Sequence, residues 1–152
     1  MQKTIKIGII SSAGGHLTKI LLLKKWWGKY DRFWVTNKNI IGKVLKNEMV
    51  YQGYFPENRN IWNFVRNAFL ALKILKREKP NVLFSTGAGI APPFFFVGKL
   101  MNAKLIFMET FIFIAKPTLS GKIIYPLADV FIIQNKKLQR IFPKAVFKEP
   151  VA

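Results

Sequence analysis

A chain of 152 residues that is 51% hydrophobic has material for a packed core and for one domain, two at most. Its 25 lysines and arginines against 7 acidic residues leave a formal charge of +18, so the expected partner is anionic: nucleic acid, anionic lipid or a phosphorylated substrate. With no cysteine and a single histidine, neither a disulfide framework nor a metal centre is expected, and no cofactor is called for.

The first apolar run predicts a strand at Thr4–Ile10. It ends in Ser11-Ser12-Ala13-Gly14-Gly15-His16, after which helical periodicity covers Leu17–Trp27. A strand that turns through glycines into a helix suits phosphate, because the backbone can approach the ligand closely and the first helical amides point outward unpaired. Ser12, Gly14 and Gly15 are expected at that phosphate, with His16, the chain's one histidine, at the helix entrance. The segment before the turn lacks the layout of a signal peptide, which places the chain in the cytoplasm. A strand at Arg32–Val35, a helix at Ile40–Lys46 and a strand at Val50–Tyr54 follow.

Ile61–Lys79 is the longest helical pattern. At roughly 100° per residue its apolar arc runs from Ala71 through Leu75, Ile61 and Val65 to Phe69 and Trp62, which is wider than core packing requires. The adjoining face carries Arg59, Arg66, Lys73 and Arg77, with Leu70 and Ile74 exposed among them. Aromatic side chains bordered by cations suit a lipid headgroup layer, so Arg59, Trp62, Arg66, Phe69 and Lys73 are the expected membrane contacts. The charge-free stretch from Pro80 to Gly98 is not a membrane span, because its glycines and prolines would break the helix repeatedly. It divides into a strand at Val82–Ser85, a glycine loop through Thr86, Gly87 and Gly89, and a helix at Pro93–Met101. A strand at Lys104–Met108, a helix at Ser120–Ala128, a strand at Val130–Ile133 and a helix at Lys136–Ile141 complete the alternation.

Apolar strands separated by helices predict an α/β fold, a doubly wound, Rossmann-like parallel sheet in one domain over residues 1–152. Ligands of such sheets gather at the carboxyl ends of the strands, where Ser11–His16, Ser85–Gly89 and Glu109-Thr110 fall. Glu109 stands in an apolar run from Leu105 to Ala115 and is the candidate acid or base beside His16. A dinucleotide site is excluded, since Gly14 and Gly15 are adjacent and no acid follows the second strand. Serine hydrolase chemistry is excluded too, because G-x-S-x-G does not occur.

Ser11–Leu17, Ser85–Gly89, Glu109-Thr110-Phe111 and Lys116–Asp129 together resemble the PssD family of polysaccharide-biosynthesis proteins. That family is similar in turn to the membrane subunit of the two-part eukaryotic N-acetylglucosaminyltransferase acting on dolichol-linked sugar, and to the N-terminal half of MurG. The resemblance implies half of a GT-B glycosyltransferase. A separate nucleotide-sugar-binding subunit would be recruited to the cytoplasmic face of the membrane, where this chain, peripherally bound to an anionic surface, presents a lipid-linked sugar acceptor for capsule or exopolysaccharide synthesis. Carried over by position, Ser12, Gly14, Gly15, Thr86, Gly87 and Gly89 would meet the acceptor phosphates, and His16 and Glu109 would face the cleft as the catalytic candidates. Phe113 stands where the family pattern has arginine. No nucleic-acid partner is expected on this reading; a basic nucleic-acid-binding α/β module is the alternative.

Overall fold

The computed structural model describes residues 4–37, 44–110 and 116–150. Seven parallel strands form one sheet: β1 (Lys6–Ile10), β2 (Asp31–Thr36), β3 (Val50–Gln52), β4 (Val82–Ser85), β5 (Lys104–Glu109), β6 (Val130–Ile133) and β7 (Val146–Phe147). Their order is β3-β2-β1-β4-β5-β6-β7, so the chain winds outward in one direction from β1 and in the other from β4. Ile7, Gly8, Ile9 and Ile10 of β1 lie opposite Val82, Leu83, Phe84 and Ser85 of β4. The doubly wound parallel sheet expected from the alternation is the fold observed.

Alternate residues of each strand enter different layers. Ile10, Phe33, Leu83, Leu105, Phe107 and Phe131 pack under α3 (Ile61–Glu78), α4 (Ala91–Leu100) and α5 (Leu119–Ile124). Ile7, Ile9, Trp34, Phe84 and Met108 pack with α1 (Gly15–Leu22) and α2 (Lys24–Trp27) on the other face. This two-sided burial is why the strands read as nearly continuous apolar runs.

Several boundaries differ from expectation. The helix expected at Leu17–Trp27 starts earlier, at Gly15, and breaks at Leu23 into α1 and α2. β3 stops at Gln52, and the chain then passes through Gly53, where a Cβ would strike Ile90. The helix expected at Ile40–Lys46 falls largely outside the described residues, and its described part, Val44–Lys46, is turn and coil. Ser120–Ala128 shortens to α5, which ends before Tyr125-Pro126, and Lys136–Ile141 is a 3₁₀ turn over Lys136–Arg140. β7 was not expected, because two residues leave no periodicity to read.

Helix α3 is oriented unlike an ordinary core helix. Its buried positions include Asn63, Asn67 and Glu78 beside Ala71, Ile74 and Leu75. The two asparagines face inward because they clamp the preceding loop: Asn67 Nδ2 donates to the Tyr54 carbonyl at 3.0 Å and its Oδ1 accepts from the Tyr54 N–H at 2.9 Å, while Asn63 Nδ2 donates to the Pro56 carbonyl at 2.8 Å. Glu78 pairs with Lys6 at 2.6 Å and accepts from the Tyr51 hydroxyl. Burying these polar groups turns the aromatic part of the apolar arc outward, leaving Ile61 84%, Trp62 69% and Phe69 69% exposed. Ile74 and Leu70, expected among the solvated cations, instead pack on the core.

Candidate functional site

The strand order reverses between β1 and β4, and the crevice at their carboxyl ends is the ligand position of a doubly wound sheet. The loops leaving these two strands are the two glycine segments. Gly14, the residue that caps α1, has φ of 87°, and Gly87 and Ala88 have φ of 126° and 75°. Such angles favour glycine, so Gly14 and Gly87 carry a conformational requirement. Neither α1 nor α4 is capped by a side chain, whereas Asn60 caps α3 and Thr118 caps α5. α1 thus offers its N-terminal amides and the positive end of its dipole to the crevice, whereas α4 offers only its dipole, because Pro92 and Pro93 carry no N–H and the Ala91 N–H donates to the Ala88 carbonyl at 3.2 Å.

His16 and Thr86 fasten the two loops together. The His16 ring stands 3.0 Å from the Thr86 carbonyl through Nδ1, and the Thr86 hydroxyl donates to the His16 carbonyl at 2.9 Å. A carbonyl only accepts, so Nδ1 carries the proton and Nε2 keeps its lone pair. A Cβ at Gly87 would lie 2.8 Å from the His16 ring, which is the second reason for glycine there. Burial pushes the His16 pKa below its ordinary 6.5, against the opposing effects of the Thr86 carbonyl and the Glu57 carboxylate. The ring is therefore neutral at physiological pH, with a basic nitrogen free.

A cleft of about 870 Å³ opens over these loops. Ser12, His16 and Gly89 lie on its polar side, Arg59 and Lys116 supply cations, and Ile61, Phe64, Leu119 and Ile123 make an apolar wall. Ile61 and Leu119 line the cleft while being 84% and 65% exposed, so the apolar wall reaches its mouth. From there the exposed stripe of α3 continues through Trp62, Val65 and Phe69, bordered by exposed Arg66 and Lys73. Arg66 is itself held 3.9 Å over the Tyr54 ring.

Glu109 ends β5 and is buried, but it is not among the residues lining the cleft. Its Oε1 accepts the Thr118 N–H at 3.0 Å and its Oε2 the Thr118 hydroxyl at 2.9 Å, and Thr118 Oγ1 accepts the Gly121 N–H at 2.9 Å. The carboxylate braces the cap of α5, which forms a wall of the cleft. Burial raises its pKa, and the Thr118 hydrogen bonds oppose the rise. The expectation that Glu109 faces the cleft is corrected accordingly: both oxygens turn toward Thr118, and a Cβ at Gly121 would collide with Oε2.

Of the other expected site residues, Ser12, His16 and Gly89 line the cleft, whereas Gly14, Gly15, Thr86 and Gly87 do not: Gly14 and Gly15 open α1, and Thr86 and Gly87 pack on His16. Arg59, expected with the membrane contacts, lines the cleft. Phe111 and Phe113 lie outside the described residues. Glu57 and Asn37 also line the cleft, as do Lys116 and Thr118 of the Lys116–Asp129 segment, for which no place at the site is expected from the sequence. Thr118 had a readable signal, a threonine three residues before Gly121 at a helix start; the others sit in loops where no periodicity marks them.

A parallel sheet of this order with a cleft at its switch point is a doubly wound, Rossmann-like fold, and it matches the fold of the N-terminal half of GT-B glycosyltransferases. MurG of Acinetobacter baumannii superposes with a TM-score of 0.70 at 15% identity, over 86% of this chain and 41% of MurG. A UDP-N-acetylglucosamine 2-epimerase from Rickettsia bellii superposes with a TM-score of 0.77 at 13% identity, over 96% of this chain and 44% of the epimerase. The chain belongs to the Alg14-like family of oligosaccharide biosynthesis proteins, whose pattern matches residues 28–151. It is 23% identical to the human UDP-N-acetylglucosamine transferase subunit ALG14, over 96% of this chain and 82% of that subunit. To the UDP-N-acetylglucosamine–N-acetylmuramyl-(pentapeptide) pyrophosphoryl-undecaprenol N-acetylglucosamine transferase of Synechocystis it is 29% identical, over 72% of this chain and 34% of the enzyme.

Proposed function

We propose that this chain is the membrane-associated subunit of a two-component glycosyltransferase: it presents a lipid-linked sugar acceptor to a separate nucleotide-sugar-binding subunit. The observation that carries the reading is the continuity between a polar, cation-bearing cleft at the switch point and the exposed aromatic stripe of α3. A polyprenyl diphosphate needs both. Its phosphates suit the uncapped end of α1, Arg59 and Lys116, with Ser12, Gly14, Gly15, Thr86, Gly87 and Gly89 setting the backbone, and its chain leaves along Ile61 and Leu119 toward lipid.

In the transfer step the acceptor hydroxyl attacks the anomeric carbon of the nucleotide sugar. The bond to the diphosphate breaks as His16 Nε2 takes the hydroxyl proton, and the nucleoside diphosphate leaves on the partner's side. All residues from 1 to 152 would act as one acceptor domain, on the cytoplasmic face and without a nucleic-acid partner. The narrower PssD assignment, with capsule or exopolysaccharide as product, belongs to the same proposal. Among the described residues no helix is long and apolar enough to cross a membrane, which fits attachment through α3.

Two results test this reading. The purified chain alone is expected to transfer no sugar and to do so once the second subunit is added; turnover by the chain free of any other polypeptide in mass spectrometry would refute the division of labour. Replacing Trp62 and Phe69 together by serine is expected to weaken co-sedimentation with phosphatidylglycerol vesicles at least 10-fold, since a fully buried phenylalanine is worth roughly 1.5–3 kcal/mol, while the retained Arg66 and Lys73 keep their attraction to the surface. Unchanged binding by a folded double variant would remove α3 from the interface. Binding to DNA or RNA that collapses with salt, without vesicle binding, would favour the nucleic-acid module instead.

A further inference from the structure

Glu57 lines the cleft and belongs to no part of the scheme above. Of the chain's 7 acidic residues, Asp31, Glu48, Glu78 and Asp129 are ion-paired, and Glu109 is occupied by Thr118. Glu149 is exposed near the end of the chain. Among the described residues the Glu57 carboxylate takes part in no hydrogen bond and no ion pair, although the protein carries a net charge of +18. Its backbone is nevertheless held in place. Asn63 and Asn67 hold the loop before it, its carbonyl oxygen would lie 2.7 Å and its Cγ 3.1 Å from a Cβ at Gly89, and its charge acts on the His16 ring. His16 and Glu57 therefore stand over the two ends of the same short loop, from Gly87 to Gly89.

A half-buried carboxylate that lines a cleft with its lone pairs free of protein partners can accept hydrogen bonds from a ligand that displaces its water, and it repels phosphate. It marks the part of the cleft that the diphosphate does not occupy. Resting on the proposed acceptor role of the cleft, we infer that Glu57 is a specificity-determining residue that accepts hydrogen bonds from hydroxyl groups of the acceptor sugar, beside the hydroxyl that faces His16. Arg59 and Lys116 hold the diphosphate and Glu57 reads the sugar attached to it. The acceptor is thereby bound in one orientation, because exchanging its ends would set phosphate against a carboxylate.

The test is direct binding to the purified chain of short-prenyl diphosphates, one bare and others carrying glucose, galactose or N-acetylglucosamine. At least one sugar-bearing probe is expected to bind the wild-type chain about 10-fold more tightly than the bare diphosphate, the range of a hydrogen bond to a charged group. Glu57→Gln is expected to erase that margin while leaving affinity for the bare probe unchanged or tighter; Glu57→Ala, checked for an unchanged melting temperature, should do the same. If no sugar improves on the bare diphosphate, or if both probes weaken equally in the variants, the assignment to Glu57 is overturned while the cleft keeps its phosphate role. If the wild-type chain binds none of the probes, the acceptor reading itself fails and Glu57 falls with it.

Discussion

His16→Gln is expected to lower turnover of the reconstituted pair by about 10²–10⁴, the range of general base catalysis, with vesicle binding and melting temperature nearly unchanged. Glutamine can still donate an amide N–H to the Thr86 carbonyl, so the tie between the two loops survives while the basic nitrogen is lost. The pH profile supplies a second readout. Burial holds the His16 pKa below 6.5, and the base works only when neutral, so the wild-type rate should be flat above that value and fall as pH drops through the lowered pKa. The same shift acts on stability: the unfolded chain takes up the proton first, so the folded state loses stability as pH falls below 6.5. Turnover of His16→Gln within threefold of wild type, or an acidic limb left in place by the substitution, would exclude His16 as the base.

Glu109→Gln is expected to lower the melting temperature before it touches the chemistry, and Gly121→Ala to do so more severely. The carboxylate receives two donors from Thr118, and an amide offers only one acceptor in that place. A buried donor left unmet costs about 1–3 kcal/mol, and at this size each kcal/mol is worth roughly 2–4 °C. Gly121→Ala drives a methyl group into Oε2 and must displace the carboxylate or the helix. With Thr118 and Lys116 on the cleft wall, the accompanying loss of activity should appear as a raised KM for the acceptor. A turnover that collapses in Glu109→Gln while melting temperature and acceptor binding stay at wild-type values would return Glu109 to the chemical step.

Glu109 illustrates how far a sequence reading reaches. A lone carboxylate in an apolar run at a strand end was legible as a buried, purposeful group, and it is buried. Its partners were not, because Thr118 comes nine residues later across a segment that has no periodicity. The α3 helix shows the same division. Its apolar arc was visible, but the three inward polar residues were hidden, since their partners Tyr54, Pro56 and Lys6 are loop and strand positions that no helical pattern encodes. Glu57 carries no signal in the sequence, because loop residues acquire meaning only from what the fold sets beside them.

What the sequence determined alone is what depends on neighbours along the chain. The repeated passage from apolar strand to helix dictates a parallel sheet, glycines at the ends of the first and fourth strands dictate tight turns into helices, and 25 cations against 7 acids dictate a strongly positive field. The tertiary structure decided which distant groups meet. Strand order set β1 beside β4, so two glycine loops separated by some seventy residues of chain became one crevice locked by His16 and Thr86. Burial of Asn63, Asn67 and Glu78 decided which side of α3 faces water, because polar groups with partners inside the fold can be buried, and the aromatic side chains were left at the surface.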